Sequence, residues 1–454
     1  MKTSRTSLAT LIAALVPALA LGGTANAESL YAVYQRAQEY DPALRAAAAA
    51  RDATIEVKPQ SRAGVLPTIG VGGDVSRNSY DERNPLPTVS NPTYSTNQTY
   101  SLSLTQPLFR WDRWVALGQA DNLVTQAQAS YTAAEQDLMV RVAERYFAVL
   151  GAEDALRLAR IEKESIGRQL EQAQQRFEVG LSAITDEQEA QARYDNALAV
   201  EIRAQDLLES TREQLREITG QPTDQLDPVR DAEFALIAPE PPDQQTWVDT
   251  ALKQNPGLAA ARAGSEAARQ QIQIARAGHY PTVDATASYN YLDSNLSGIR
   301  VLERNDSAVG VQLNVPLYQG GYVNSKTREA RYRFDEAREN LDASQRALER
   351  QTRDAHRGVI SGISEVRAAT QARTSSTTAL EAAQTGYEVG TRTIVDVLDA
   401  QRALSLTELN LYKARYSYLL NTLRIKQAAG TLAPADLDAL SKNWLETKAA
   451  ASNP

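Results

Sequence analysis

Hydrophobic and polar positions alternate along four runs of the chain. Ile69, Val71 and Val75 oppose Thr68, Gly70, Gly72, Asp74 and Ser76; Tyr100, Leu102 and Leu104 oppose Thr99, Ser101, Ser103 and Thr105. Farther on, Val283, Ala285, Ala287, Tyr289 and Tyr291 oppose Thr282, Asp284, Thr286, Ser288 and Asn290, and Val309, Val311, Leu313 and Val315 oppose Gly310, Gln312 and Asn314. A period of two marks strands with one apolar and one polar face. The runs predict strands at about 66–80, 96–108, 281–292 and 307–317. Each holds roughly 9–11 alternating residues, the length at which a tilted strand crosses a bilayer. Polar loops are expected between the members of each pair, from Asp81 to Thr96 and from Asp293 to Asp306.

After Pro107 and Pro316 the period changes. No Pro interrupts Arg113 to Glu178 or Tyr322 to Glu388. Each stretch is about 66 residues, on the order of 100 Å of helix. Leu117, Val124, Tyr131 and Leu138 recur every seventh residue, as do Phe334, Leu341, Leu348, Ala355 and Gly362. Such a seam predicts coiled-coil packing, and its small residues predict close approach to several neighbours. Both long helices run up to a glycine, Gly180 and Gly390, with return helices expected over Thr185 to Thr219 and Ile394 to Ala429. Each pair reads as a long antiparallel hairpin, with tips at about 178–186 and 388–396.

The chain is written twice. Asp41-Pro42-Ala43-Leu44 returns as Asn255-Pro256-Gly257-Leu258, and Leu66-Pro67-Thr68-Ile69 as Tyr280-Pro281-Thr282-Val283. Gln106-Pro107-Leu108-Phe109 returns as Val315-Pro316-Leu317-Tyr318, and Phe177-Glu178-Val179-Gly180 as Tyr387-Glu388-Val389-Gly390. Four landmarks in the same order predict an internal duplication. The expected units are residues 28–220 and 247–430, each a helix, two strands and a long hairpin. A connector at 221–246 holds Pro222, Pro228, Pro239, Pro241 and Pro242, and 431–454 is a C-terminal segment expected to be equatorial or disordered.

The first 27 residues read as an export signal. Lys2 and Arg5 precede an apolar stretch from Leu8 to Leu21 that Pro17 breaks, and Ala25-Asn26-Ala27 has a small-x-small cleavage pattern. The net charge of −8 and the lack of a basic run make nucleic acid a poor partner. With no Cys, thiol catalysis, Cys-ligated zinc and iron–sulfur clusters are excluded. With 2 His a multi-His metal site is not expected, and neither a metal nor a cofactor is called for. No later segment approaches 18 apolar residues, so any membrane role falls to the strands.

Four amphipathic strands cannot lie in lipid as an open sheet, because the edge amides would go unpaired. They are also too few to close a single-chain barrel. Three chains supply twelve strands, enough to close around a polar lumen; a dimer of eight would fill its interior with side chains. The fold expected is mainly α with membrane β: a trimeric 12-stranded β-barrel, four strands per chain, continued by long antiparallel helices on the periplasmic side of an outer membrane.

The order of elements, the duplication and two local segments resemble the TolC family of outer-membrane channel-tunnels, also called outer membrane factors. The resemblance runs from Leu30-Tyr31-Ala32-Val33-Tyr34 to Gly430-Thr431-Leu432. It is most specific at Gly386-Tyr387-Glu388-Val389-Gly390-Thr391-Arg392-Thr393-Ile394-Val395-Asp396-Val397-Leu398-Asp399-Ala400 and at Arg176-Phe177-Glu178-Val179-Gly180-Leu181-Ser182-Ala183-Ile184-Thr185-Asp186. It implies a homotrimer with an α-helical barrel, a narrowed periplasmic entrance, and recruitment by a periplasmic adaptor (a membrane fusion protein) and an inner-membrane pump of the ABC, RND or MFS type. The function it implies is an outer-membrane exit duct for type I protein secretion, multidrug efflux or both.

By spacing alone, Asp396 and Asp399 share a helix face and suit the first turn of a helix. The resemblance implies instead that they ring the entrance, with six carboxylates in a trimer attracting cations. It likewise implies that Thr185, Asp186, Tyr387 and Arg392 hold the entrance closed. Arg392 and Tyr387 could donate to Asp186, with the Thr185 hydroxyl joining them. His279 and His356 read as structural, and Trp111 and Trp114 suit a membrane–water boundary. No Gly-x-Ser-x-Gly elbow, phosphate loop or other catalytic constellation is present, so no enzyme is expected. A trimeric adhesin or non-export porin, and a soluble periplasmic coiled-coil scaffold, are the rival readings.

Overall fold

The computed structural model describes residues 27–81, 93–180, 183–223, 225–230, 234–296 and 299–445. The export signal lies outside the described residues except for Ala27, as does most of the loop expected from Asp81 to Thr96. Each half opens with short helices rather than the single helix expected. In the first half these are α1 Leu30–Tyr40, α2 Pro42–Ile55 and α3 Val57–Ala63. In the second they come after the four strands' first pair and the first hairpin, as α6 and α7 below. The break has a local cause. Asp41 caps α2 by accepting from the Leu44 N–H, and Pro42 occupies the first turn, where its missing N–H is harmless.

Four antiparallel strands follow in spatial order: β1 Thr68–Tyr80, β2 Thr93–Phe109, β3 Thr282–Leu296 and β4 Ile299–Asn314. Residues paired across antiparallel strands face the same side. One row is therefore Ile69, Leu104, Ala287 and Val309, and the next is Val71, Leu102 and Tyr289. The opposite face carries Gly72, Ser101, Asn290 and Asp306 in one row. The sheet thus has one apolar and one polar face, and Val71 and Val309 on the apolar side are 84% and 88% exposed in the single chain. Among the described residues, neither β1 nor β4 has a second neighbour.

The strands are longer than the alternation suggested, at 13, 17, 15 and 16 residues. The loop expected from Asp293 to Asp306 is mostly strand, with only residues 297–298 between β3 and β4. Polar cross-strand pairs carry the ladder onward there. Arg300 binds Asp293 at 2.9 Å, and the Tyr291 hydroxyl donates to Glu303 at 3.1 Å. Ser294 pairs with Leu302 but Asn295 with Arg300, so the register shifts there and the period of two is broken while backbone pairing continues.

The long helices are α4 Trp111–Glu178 of 68 residues and α8 Tyr322–Glu388 of 67, each returning through 36 residues, α5 Ile184–Thr219 and α9 Ile394–Ala429. The return helices reach only about half the height of α4 and α8. Above them the short helices take their place: α2 and α3 lie on α4, and α7 Pro256–Arg276 lies between α4 and α8. Beside α7, α6 Gln244–Gln254 ends at Asn255, which caps α7 through the Leu258 N–H, so the second proline landmark is a helix break like the first. α6 begins at Gln244, within the last residues of the stretch expected as connector.

The main core sits at mid-height. Tyr146 of α4 is fully buried, and its hydroxyl donates to the carbonyls of Glu28 at 3.0 Å and Asp227 at 2.9 Å. Tyr418 of α9 is equally buried; its hydroxyl accepts from the Ile237 N–H at 2.8 Å and donates to the Ile237 carbonyl at 2.9 Å. The two tyrosines thereby bind the segment just before α1 and the connector to the long helices. The C-terminal segment forms α10 Pro434–Trp444, which buries Leu437, Leu440 and Trp444 in this core. Residues 446–454 lie outside the described residues. His356 is buried with a ring nitrogen 3.2 Å from the Pro242 carbonyl, and His279 faces Asn324 at 3.2 Å, both in structural settings.

Two glycines with the same backbone conformation make a controlled comparison. Gly430 ends α9 at φ 75°, and a Cβ there would meet the Gln254 carbonyl oxygen at 2.5 Å. Gly390, at φ 77°, has nothing within 4 Å. Gly390→Ala should cost about 1 kcal/mol through backbone strain alone. Gly430→Ala should cost about 2–4 kcal/mol because the clash is with backbone that cannot swing away. Thermal unfolding followed by circular dichroism checks this; equal losses would contradict the packing described at α9 and α6.

Candidate functional site

The hairpin tips are built by the same device twice. Each long helix stops at a valine, and the following glycine takes a left-handed conformation, φ 76° at Gly180 and 77° at Gly390. In the second tip the Thr391 and Arg392 N–H groups both donate to the Gly386 carbonyl, closing the turn. Thr393 then caps α9. Its hydroxyl accepts from the Asp396 N–H at 3.3 Å, while the Asp396 carboxylate accepts from the Thr393 N–H at 2.8 Å and the Thr393 hydroxyl at 2.8 Å. This reciprocal arrangement satisfies two helix-end donors. The first tip differs: Ala183 precedes α5 without a side-chain cap, and Asp186 and Glu187 stand in the first turn.

The tips meet through a small apolar cluster. Ile166 of α4, Ala197 of α5, and Ile394 and Leu398 of α9 are buried together, with Tyr194 and Tyr387 packed against them. Above the cluster α4 and α9 continue antiparallel, joined by Ser165 to Gln401 at 3.4 Å, Tyr416 to Asp154 at 2.5 Å and Arg424 to Glu144 at 2.6 Å. Tyr387 also lies under the Arg176 guanidinium, 4.8 Å from its ring centre. Cation–π contact and apolar packing thus hold this ring on the hairpin surface.

Among the described residues, no hydrogen bond or ion pair joins Tyr387 or Arg392 to Thr185 or Asp186. The contacts expected between them are not made within one chain. Arg392 turns instead along its own tip, its stem against Gly386 and its charge near Asp396. Hydrogen bonds from Thr393 hold the Asp396 carboxyl below its usual pKa, the backbone N–H contributing most, and Arg392 adds to this. Asp399, one turn on, pairs with Arg193 of α5 at 3.3 Å, and Arg193 also binds Glu189 at 2.9 Å.

The sequence reading gave no role to Arg193 and none to Arg176 beyond its place in a family-like segment. Arg193 shows only an ordinary i,i+4 pair with Glu189, and its partner in the other hairpin lies 206 positions away. At the other end of α4, Trp111 and Trp114 are 41% and 53% exposed, just past the strand that carries the apolar face. Among the described residues no helix is long and apolar enough to cross a membrane. Nor do they contain a group of three or more His, Asp or Glu that could hold a metal.

The profile of the outer membrane efflux protein family matches residues 33–221 and 247–431, one segment on each half. The chain belongs to the outer membrane efflux protein family. Its connector falls in the gap between the matched segments. The outer membrane protein TolC of Vibrio cholerae is 40% identical over 414 residues, covering 90% of this chain and 92% of that one. The alkaline protease secretion protein AprF of Pseudomonas aeruginosa is 30% identical over 418 residues, 91% of this chain and 86% of that one. Among solved structures, the CmeC outer membrane channel of Campylobacter jejuni superposes with a TM-score of 0.78 at 17% identity, over 92% of this chain and 90% of that one. That likeness establishes the fold. As a member of the outer membrane efflux protein family, the chain resides in the outer membrane.

The reciprocal cap has a testable pH dependence. Because the folded pKa of Asp396 is depressed, its stabilisation of the first turn of α9 is fully present above the ordinary carboxylate value. It is lost as pH falls through the lower folded value. Hydrogen-exchange protection at residues 394–398, corrected for intrinsic rates, should therefore fall in acid for the native chain. Thr393→Val should lower it several-fold already at neutral pH, and protection unaffected by that substitution would contradict the cap.

Proposed function

We propose that three copies of this chain form a closed-tip exit duct through the outer membrane and across the periplasm, used for protein secretion and efflux. The carrying observation is the sheet: four antiparallel strands with a band of apolar rows on one face and, among the described residues, both edges unpaired. Three such sheets joined edge to edge give a 12-stranded barrel with its polar face on the lumen, and the hairpins continue it as a helical tunnel. The family supports the exit-duct reading over the adhesin and scaffold alternatives, and its relatives carry names for secretion and efflux. No catalytic role is assigned. Cargo choice belongs to an inner-membrane pump, and a periplasmic adaptor is the partner that reaches the tips.

In this reading Asp396 and Asp399 ring the entrance. Thr185, Asp186, Tyr387 and Arg392, which do not pair within a chain, lock the tips by pairing between neighbouring protomers. A solvated pair of this kind contributes about 0–1 kcal/mol, which suits a lock that a docking partner must open.

Two experiments test the proposal. A deletion strain should become sensitive to toxic small molecules, or lose a secreted protein, and recover with the native gene; a strain unchanged in both respects sinks the exit-duct reading. The purified protein should be a trimer in detergent and conduct poorly in planar bilayers. Arg392→Ser with Tyr387→Phe should raise conductance above either single change. A monomeric mass, or a double variant with native conductance, would reject the assembly or the lock respectively.

A further inference from the structure

We infer that Arg193 sets the electrostatic strength of the entrance by masking Asp399, leaving Asp396 as the carboxylate that meets a passing cation; the inference rests on the entrance reading above. The guanidinium bridges two hairpins. Its Nε donates to Glu189 one turn earlier on α5, at 2.9 Å, and its Nη2 lies 3.3 Å from Asp399 on α9. The Arg193 side chain is 27% exposed and Asp399 59%, so the cation sits deeper than the carboxylate it partners. Asp396 is placed differently. Its carboxylate is bonded to Thr393, and among the described residues it makes no salt bridge.

The group Glu189, Arg193 and Asp399 therefore carries a net charge of −1 in each chain, where the two carboxylates alone would carry −2. The pairing adds little to stability, since exposed ion pairs hold little net energy. Its effect lies in the field. In a narrow aperture with low-dielectric walls, one charge per chain repeated by symmetry alters cation attraction well beyond its own contact distance. A guanidinium held by two carboxylates also occupies the Asp399 oxygen that a multivalent cation would otherwise contact.

The full-length protein in planar bilayers, titrated with lanthanum(III) from the tip side, tests this. Arg193→Gln should tighten lanthanum block about fivefold and raise the preference for monovalent cations over anions. Arg193→Lys, which keeps the charge, should stay near the native value. In an Asp399→Asn background, Arg193→Gln should tighten block clearly less than in the native background, because the charge change remains but no Asp399 oxygen is left to be freed. An equal effect of Arg193→Gln in both backgrounds, or none in either, overturns the inference. The entrance reading fails separately: if Asp396→Asn leaves block unaltered, the carboxylates do not line the aperture and the inference falls with it. If Asp396→Asn weakens block while Arg193→Gln does nothing, only the inference falls. Trimer mass in detergent confirms that each variant has assembled.

Discussion

The structure depends on what happens to backbone amides at the edges of β1 and β4. In water an unpaired strand edge is tolerable, but in hydrocarbon each bare N–H or C=O costs several kcal/mol. A sheet of four strands with an apolar face has two such edges. The apolar rows forbid it to sit in water with Val71, Val309 and Val311 bare, and the edges forbid it to sit in lipid alone. In the proposed assembly, closure with other copies satisfies both demands. The polar rows would then enclose a lumen, and helices that follow each strand pair would be forced to one side of the membrane.

The duplication serves the same end. Each half contributes one strand pair and one hairpin, so a chain offers two similar wedges to a ring. The halves are not identical at their tips. The second has the Thr393–Asp396 cap and the first has none. Three chains would therefore give an entrance whose six tips alternate between two chemistries. The ion pair between Arg193 and Asp399 joins those chemistries within one chain.

Much of this was legible in the sequence, for physical reasons that also mark where legibility ended. Strands with one apolar and one polar face announce themselves by alternation, so β1 to β4 were found. From Asp293 to Asp306 a register shift breaks the alternation, so the stretch was read as a loop, although Arg300, Glu303 and Tyr291 hold it as strand. Long helices free of proline, and glycines at their ends, gave the hairpins almost to the residue. The short helices needed the Asp-Pro and Asn-Pro signals to be read as a cap followed by a first turn, rather than as landmarks of repetition alone. At the tips, residue spacing suggested only helix-start carboxylates, and the family resemblance implied a carboxylate ring and a lock. Pairing is a matter of three-dimensional approach, and the chain alone made other choices: Thr393 for Asp396, Arg193 for Asp399 and Arg176 for Tyr387.

The continuity of α4 has a mechanical meaning. The helix is gripped at mid-height, where Leu138, Val142 and Tyr146 are fully enclosed. From Tyr146 to Glu178 it runs on as an unbroken rod of about 50 Å. Such a rod is a cantilever: clamped at one end, loaded at the other. A force applied near Gly180 bends or rotates the lower half about the clamp, and the strands above it are spared. The tip end can thus swing through a large arc for a small angular strain per turn, while the end at the sheet keeps its register.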